Sequence, residues 1–228
     1  MNESKQKILI ESVICRPREQ DTEITKIKEQ AIENSKRSDW LWHLLLSSMA
    51  TMGNSRGYKG LIENEEHYNL ASYEALLKLE PEIRLTNIQS ALKKGTVRRH
   101  NSKGRWLAKN FLFIQDCGGI EVLQNILLNT RGRDSKIHIM KLFDGIGHKY
   151  ARNIFMDIYH EDFIDSIAVD ERLSNILDKL EVDLNLSYSE KENIFVQIAI
   201  ACQISPWQLD RLLYIFNPYY IAKLKKLD

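Results

Sequence analysis

The chain has 228 residues, with 32 Lys+Arg against 31 Asp+Glu and a formal net charge of +1. With 43 % hydrophobic and 28 % charged residues, and only 4 Pro and 10 Gly, the composition excludes a disordered tail, a linker-rich chain and a collagen-like repeat. Three cysteines, Cys15, Cys117 and Cys202, form no CxxC pair. A zinc site built on Cys spacing and a four-Cys iron–sulfur cluster are therefore excluded, and free thiols in a reducing, intracellular compartment are expected. The N-terminus has no secretory pattern, and the longest apolar stretch, residues 40–46, is far too short to cross a bilayer, so no membrane partner is expected.

Helix signals recur along the chain. Residues 7–14 alternate enough to suggest one strand, the only one. Leu41, Leu44, Leu45, Ser48 and Met52 follow helical spacing, with Ser38 or Asp39 placed to cap the start. Thr86-Asn87-Ile88-Gln89 reads as a capping box whose helix runs to Lys94 and stops at Gly95. Residues 53–60 and 95–104 read as the main loops of the first half. Helices are predicted on both sides of Gly145-Ile146-Gly147, over residues 134–141 and from His148 to about Asp157. Ser187-x-x-Glu190 and Ser189-x-x-Glu192 both offer starts for a helix through Ile200. Ser205-Pro206-Trp207-Gln208 then opens a helix with an apolar stripe of Leu209, Leu212, Leu213 and Phe216, ended by Asn217-Pro218. The sum is roughly nine to eleven short helices, with no internal repeat and no flexible linker.

Charge is unevenly placed. Residues 83–115 contain no Asp or Glu but carry Arg84, Lys93, Lys94, Arg98, Arg99, Lys103, Arg105 and Lys109. Arg131, Arg133, Lys136 and Lys141 continue the bias, while acidic residues concentrate in 63–82 and 161–192. Such a basic segment attracts phosphate and makes affinity salt-dependent; alone, it is equally a solvated surface.

The most informative stretch is Leu142-Phe143-Asp144-Gly145-Ile146-Gly147-His148-Lys149-Tyr150-Ala151. Two glycines one residue apart permit a tight turn, and the amides of Gly145, Gly147 and His148 would then point outward where the next helix begins. Unpaired amides and the helix dipole both favour an anion there, which suits a phosphate oxygen. This stretch resembles the helix–hairpin–helix signature of the endonuclease III and 8-oxoguanine DNA glycosylase superfamily. Ile167-Ala168-Val169-Asp170-Glu171-Arg172-Leu173 resembles that family's second signature, an apolar run ending in aspartate before a helix. Leu44-Leu45-Leu46-Ser47-Ser48, residues 97–109 and residues 205–216 are more weakly similar to the archaeal-type 8-oxoguanine glycosylases, which lack the cluster.

The chemistry explains why those residue types matter. Loss of a base builds oxocarbenium character at C1′, which a nearby carboxylate stabilises; Asp170 is the candidate. A neutral amine attacking C1′ gives a Schiff base that permits β-elimination; Lys149 matches the position of the family's strand-cleaving nucleophile. Each residue has a plainer reading, Asp170 as a helix N-cap and Lys149 as one more solvated lysine. Met49 matches the region that fills the gap left by a flipped nucleotide, or is a core residue; Asn54 and Arg56 follow as possible strand contacts. The resemblance also implies a structural monovalent or divalent cation on the backbone carbonyls of Lys141, Phe143 and Ile146, and no other cofactor. The six histidines show no metal spacing and read as surface or packing residues. Trp207 and Tyr214 lie on a C-terminal helix that either approaches the base pocket or, the better reading, packs in the core.

The expectation is thus an all-α, two-lobed helical DNA glycosylase fold with a helix–hairpin–helix and an interlobe active-site cleft. Residues 1–52 plus 158–228 would form one discontinuous lobe, and 53–157 a central bundle ending in the hairpin. The expected function is a monomeric, bifunctional DNA glycosylase/AP lyase of base-excision repair. Its partner is double-stranded DNA carrying a damaged base, 8-oxoguanine first, or an abasic site. Gly145, Gly147, His148, Met49, Asn54, Arg56, Arg98, Arg99 and Lys103 are the expected DNA contacts. The rivals are a monofunctional glycosylase using Asp170-activated water, with Lys149 a phosphate contact, and a non-catalytic helix–hairpin–helix module that tethers a partner to DNA. Length disfavours the tether, because a bare hairpin needs a far shorter chain.

Overall fold

The computed structural model describes residues 1–53 and 56–225. Among these the protein is all-helical, without a β-strand. The helices, in order, are α1 (Glu3–Ile14), α2 (Arg18–Ser35), α3 (Trp40–Thr51), α4 (Glu65–Leu70), α5 (Tyr73–Leu77), α6 (Pro81–Lys94) and α7 (His100–Asp116). They continue with α8 (Ile120–Asn129), α9 (Arg133–Met140), α10 (His148–Met156), α11 (Glu171–Lys179), α12 (Tyr188–Ala201), α13 (Pro206–Ile215) and α14 (Asn217–Leu224). A wide helical turn (Tyr58–Ile62) precedes α4 and a 3-10 turn (Glu161–Phe163) follows α10. No single described helix is long and apolar enough to cross a membrane.

The described helices outnumber the expected nine to eleven because short connecting segments also coil. The strand expected over residues 7–14 is helix α1: Asn2 caps it by accepting the Lys5 N–H at 3.1 Å, and Lys5, Leu9, Ser12 and Val13 form its buried face. A run of Ile and Leu fits either period, and the cap decides for the helix. Helix α6 starts at Pro81, with Glu80 as N-cap, so Thr86 lies inside it and is no cap. Proline at the first turn outcompetes the later box, and the helix ends at Gly95 as expected. The loops are shorter than 53–60 and 95–104, because α7 begins at His100 and a helical turn occupies Tyr58–Ile62. Asn217-Pro218 ends α13 but opens α14, since proline is well placed in a first turn.

Two compact units emerge, Met1–Asn34 with Phe155–Asp228, and Ser35–Ile154. The division falls before α3, not at residue 52, and near residue 154 rather than 157. The reason lies in α3, which is buried nearly all round: Trp40, Leu41, Trp42, Leu44, Leu45, Leu46, Met49 and Ala50 are all in the core of the middle unit. A helix apolar on every face must be central, and truncating such a residue to Ala typically costs about 2–5 kcal/mol. Trp42 packs edge-on against Phe111 at 5.7 Å, and its indole N–H donates to the Ala71 carbonyl at 2.8 Å. Asp39 makes no side-chain cap on α3, being paired with Arg37; instead Gln124 from α8 accepts the Leu41 N–H at 3.1 Å.

In the unit formed by the two chain ends, α1 packs on α14 and α12, and α13 packs on α11, α12 and α14. Phe155 stacks on Phe163 at 4.6 Å, and buried Trp207 donates its indole N–H to the Met156 carbonyl at 2.9 Å. Ser187 and Glu190 form a complete capping box at the start of α12. Ser205 caps α13 by accepting the Gln208 N–H at 3.2 Å.

Candidate active site

The hairpin between α9 and α10 is built from its glycines and anchored from below. Gly145 has φ +81°, a conformation that costs a residue with a side chain about 1–2 kcal/mol. A Cβ there would also meet Trp106 Cε3 at 2.7 Å and Met49 Cε at 2.8 Å. Gly147 differs: its φ is not positive, and a Cβ on it would meet nothing within 4 Å. The first glycine makes the turn, and the second keeps the outer surface bare for close approach to the backbone. Asn110 of α7 grips the loop on both sides, accepting the Asp144 N–H at 2.7 Å and donating to the Asp144 carbonyl at 3.1 Å. Phe143 and Ile146 are buried, Phe143 lying edge-on to Phe113 at 5.1 Å. Lys141, Leu142, Gly145, Gly147 and His148 remain exposed. The i→i−4 ladder of α10 starts at its N-terminus with the Ala151 N–H, which donates to the Gly147 carbonyl at 2.9 Å, so the positive end of the helix dipole lies at Gly147 and His148. Lys149 follows on that first turn, partly buried, its Nζ 4.9 Å from the centroid of the Tyr150 ring.

The C-terminal end of α3 brings the basic segment to the hairpin. Arg98 and Arg99 are exposed, and a Cβ on Gly53 would stand 3.6 Å from Arg98 Cδ. Arg56 is exposed, and Asn54 lies outside the described residues. Two expected DNA contacts are not available to DNA. Met49 is fully buried beneath Gly145, so it is a core residue of α3 and fills no gap in a duplex. Lys103 is only 2 % exposed; its Nζ donates to the carbonyls of Met49 at 2.7 Å and Met52 at 2.6 Å. It closes the carbonyl end of α3, a partner more local than phosphate.

Burial, helped by nearby Arg98 and Arg99, pushes the Lys103 amine down to about 8. The unfolded chain holds that proton up to about 10.5. The unfolded state therefore binds more protons between these values, and stability rises with pH across the window. Lys103→Met abolishes that rise and orphans two carbonyls at a cost of about 1–3 kcal/mol, both read from denaturant midpoints at pH 8 and 10.

In the other unit, Asp170 caps α11 by accepting the Leu173 N–H at 3.0 Å, and it is partly exposed. The apolar run before it, Ile167, Ala168 and Val169, is buried. Arg172, two residues on, lies 4.3 Å from the centroid of the Tyr214 ring and donates to the Tyr214 carbonyl at 2.9 Å. Sequence reasoning missed two buried carboxylates that hold this run, Glu192 and Asp210. Glu192 is turned inward rather than capping α12 from Ser189. Asp210-Arg211 inside the apolar stripe of α13 was the available signal, because a charged pair among leucines implies a buried partner. Asn110, in the middle of α7, was a similar signal for the hairpin.

Among the described residues no group of three or more His, Cys, Asp or Glu side chains is arranged to hold a metal. His43 is a packing residue, hydrogen-bonded to Tyr68 at 3.1 Å and pushed down to about 4 by burial.

No protein-family model matches the chain, and no curated protein matches it. Solved structures do. The 8-oxoguanine DNA glycosylase of Thermotoga maritima is similar with a TM-score of 0.68 and 15 % identity, over 93 % of this chain and 98 % of that one. The 8-oxoguanine DNA glycosylase of Methanocaldococcus jannaschii is similar with a TM-score of 0.61 and 17 % identity, over 96 % and 94 %. The M. jannaschii glycosylase/lyase in complex with a 15-mer DNA containing 8-oxoguanine gives 0.62 and 15 %, over 86 % and 90 %. The chain therefore has, across nearly its whole length, the helical fold of these 8-oxoguanine DNA glycosylases.

Proposed function

We propose that the protein is a base-excision DNA glycosylase with AP-lyase activity, acting on duplex DNA that carries 8-oxoguanine. The observation that carries this reading is the Gly145 turn, which sets exposed Gly145, Gly147 and His148 just before Lys149 on the first turn of α10 in a chain with this fold. The hairpin would hold one backbone phosphate, while Arg98, Arg99 and Arg56 contribute sequence-independent attraction. The damaged nucleotide must leave the stack to be reached. The unprotonated Nζ of Lys149 attacks C1′ as the glycosidic bond breaks and the base departs with its electron pair. Asp170 stabilises the developing positive charge and passes protons between amine and leaving base. Opening of the sugar ring leaves an imine on Lys149, and loss of the C2′ proton expels the 3′ phosphate.

A structural cation on the carbonyls of Lys141, Phe143 and Ile146 belongs to this reading. The Phe143 carbonyl already accepts the Ile146 N–H at 3.1 Å, which leaves it one lone pair. Three neutral oxygens without a carboxylate suit a monovalent ion better than a divalent one. Such an ion would brace the turn and supply no chemistry at the sugar.

The test is base release and strand nicking on duplexes containing 8-oxoguanine, thymine glycol, uracil or an alkylated base, each set against all four opposite bases. Release with nicking on the 8-oxoguanine duplex is expected. Release without nicking would favour activated water, and binding with neither would favour a tether. Arg98→Ala with Arg99→Ala should weaken binding equally on damaged and undamaged duplexes. It should also lower the slope of log affinity against log salt by about one per lost phosphate contact.

A further inference from the structure

The backbone leading into Asp170 is held by buried side chains and not by a helix. Glu192 Oε1 accepts the Ser166 hydroxyl at 2.9 Å and the Ile167 N–H at 3.2 Å, and the Tyr188 hydroxyl donates to the Ile167 carbonyl at 3.3 Å. Asp210 Oδ1 accepts the next amide, Ala168 N–H, at 2.7 Å. Its other oxygen accepts from Arg211 at 3.2 Å, and Arg211 also reaches Asp157 at 2.8 Å. Asp210 is 2 % exposed. Burial pushes its carboxyl up to about 6, against the pull of Arg211 and of the Ala168 N–H. A buried carboxylate is costly even when paired, and an apolar residue with a relaxed backbone would fill this volume at less cost. What the carboxylate adds is a short, directional bond to one amide, two residues before Asp170.

We propose that Asp210 is a positioning residue for Asp170. Through the Ala168 amide it fixes where the buried run ends and so how Asp170 is presented at the head of α11. This rests on the reading of Asp170 as the carboxylate that stabilises the transition state. Displacing such a group by about 1 Å is enough to lose about a hundredfold in rate. Glu192 restrains the preceding amide, so the run is pinned at two consecutive residues and little freedom is left before the cap.

The test compares single-turnover base release with affinity for a duplex carrying a tetrahydrofuran abasic analogue, and with thermal unfolding. Asp210→Leu, nearly the same size but without the acceptor, is expected to lower the rate about 10–100-fold while affinity stays within about twofold. Asp210→Asn, which keeps the Oδ1 acceptor, should recover most of the rate. In an Asp170→Asn background, Asp210→Leu should bring no further loss, because its effect acts through a group already removed. An equal further loss in that background, or an unchanged rate in folded Asp210→Leu, overturns the proposal. Should Asp210→Leu not fold, Asp210→Glu decides. It keeps the charge but moves the acceptor by one methylene, and a full rate overturns the proposal where a loss confined to the Asp170 background supports it. A wild-type protein that releases no base from any duplex refutes the functional reading itself, whereas an active wild type with an indifferent Asp210 refutes only this inference.

Discussion

Asp170→Asn is expected to lose base excision by about 10²–10⁴-fold while leaving the fold nearly untouched. The two roles of Asp170 separate in this variant. As N-cap it accepts the Leu173 N–H at 3.0 Å, and Asn caps a helix about as well, so thermal stability should change by only a few tenths of a kcal/mol. In the proposed role, as a charge beside a forming oxocarbenium, it would have no neutral substitute. Asp170→Ala loses both, adding about 0.5–2 kcal/mol of instability to the same kinetic defect. Single-turnover rates and melting curves for the two variants decide the matter. Equal rates in Asp170→Asn and wild type would leave the aspartate as a cap and nothing more.

The second large effect belongs to Gly145. Its φ of +81° disfavours any side chain, and the Cβ would stand 2.7 Å from the Trp106 ring. Met49 Cε can move aside, but the ring carbon cannot do so without disturbing the turn. Left-handed strain of about 1–2 kcal/mol and overpacking of about 1–3 kcal/mol together predict a loss of about 2–5 kcal/mol for Gly145→Val. Duplex affinity should fall with it, since in the proposed reading this turn presents the hairpin to a backbone phosphate. Gly147→Ala is the control: it has room, so stability should hold, and only binding should suffer from the methyl on the bare surface. Equilibrium unfolding and fluorescence anisotropy on the same duplex separate the two glycines.

The residues that were legible in the sequence are those whose meaning is local. The turn at Gly145, the cap at Asp170, the capping box at Ser187 and the proline start at Pro206 each depend on a few neighbouring residues. Partners far along the chain were not legible. Lys103 reads as one more charge in a basic run, yet it ends buried on carbonyls of α3, about fifty residues earlier. Met49 sits in a region that resembles a gap-filling loop, but the all-round burial of α3 commits it to the core. Glu192 reads as half of a capping box with Ser189, and nothing local ties Asp210 to a partner; the amide partners of Asp210 and Glu192, Ala168 and Ile167, lie 42 and 25 residues away in sequence. The boundary at Asn34 was hidden for the same reason, because no loop composition marks where the chain passes from one unit into the other. The net charge of +1 conceals a similar division, with Arg56, Arg98 and Arg99 exposed in the unit that holds the hairpin.

The amine of Lys149 is the centre of the proposed chemistry. Borohydride reduction during reaction with an 8-oxoguanine duplex should trap a covalent protein–DNA adduct, and peptide mapping should place it on Lys149. Lys149→Gln should bind the duplex as well as wild type and give no adduct. An adduct that persists in folded Lys149→Gln, or that maps to another lysine, would contradict the account.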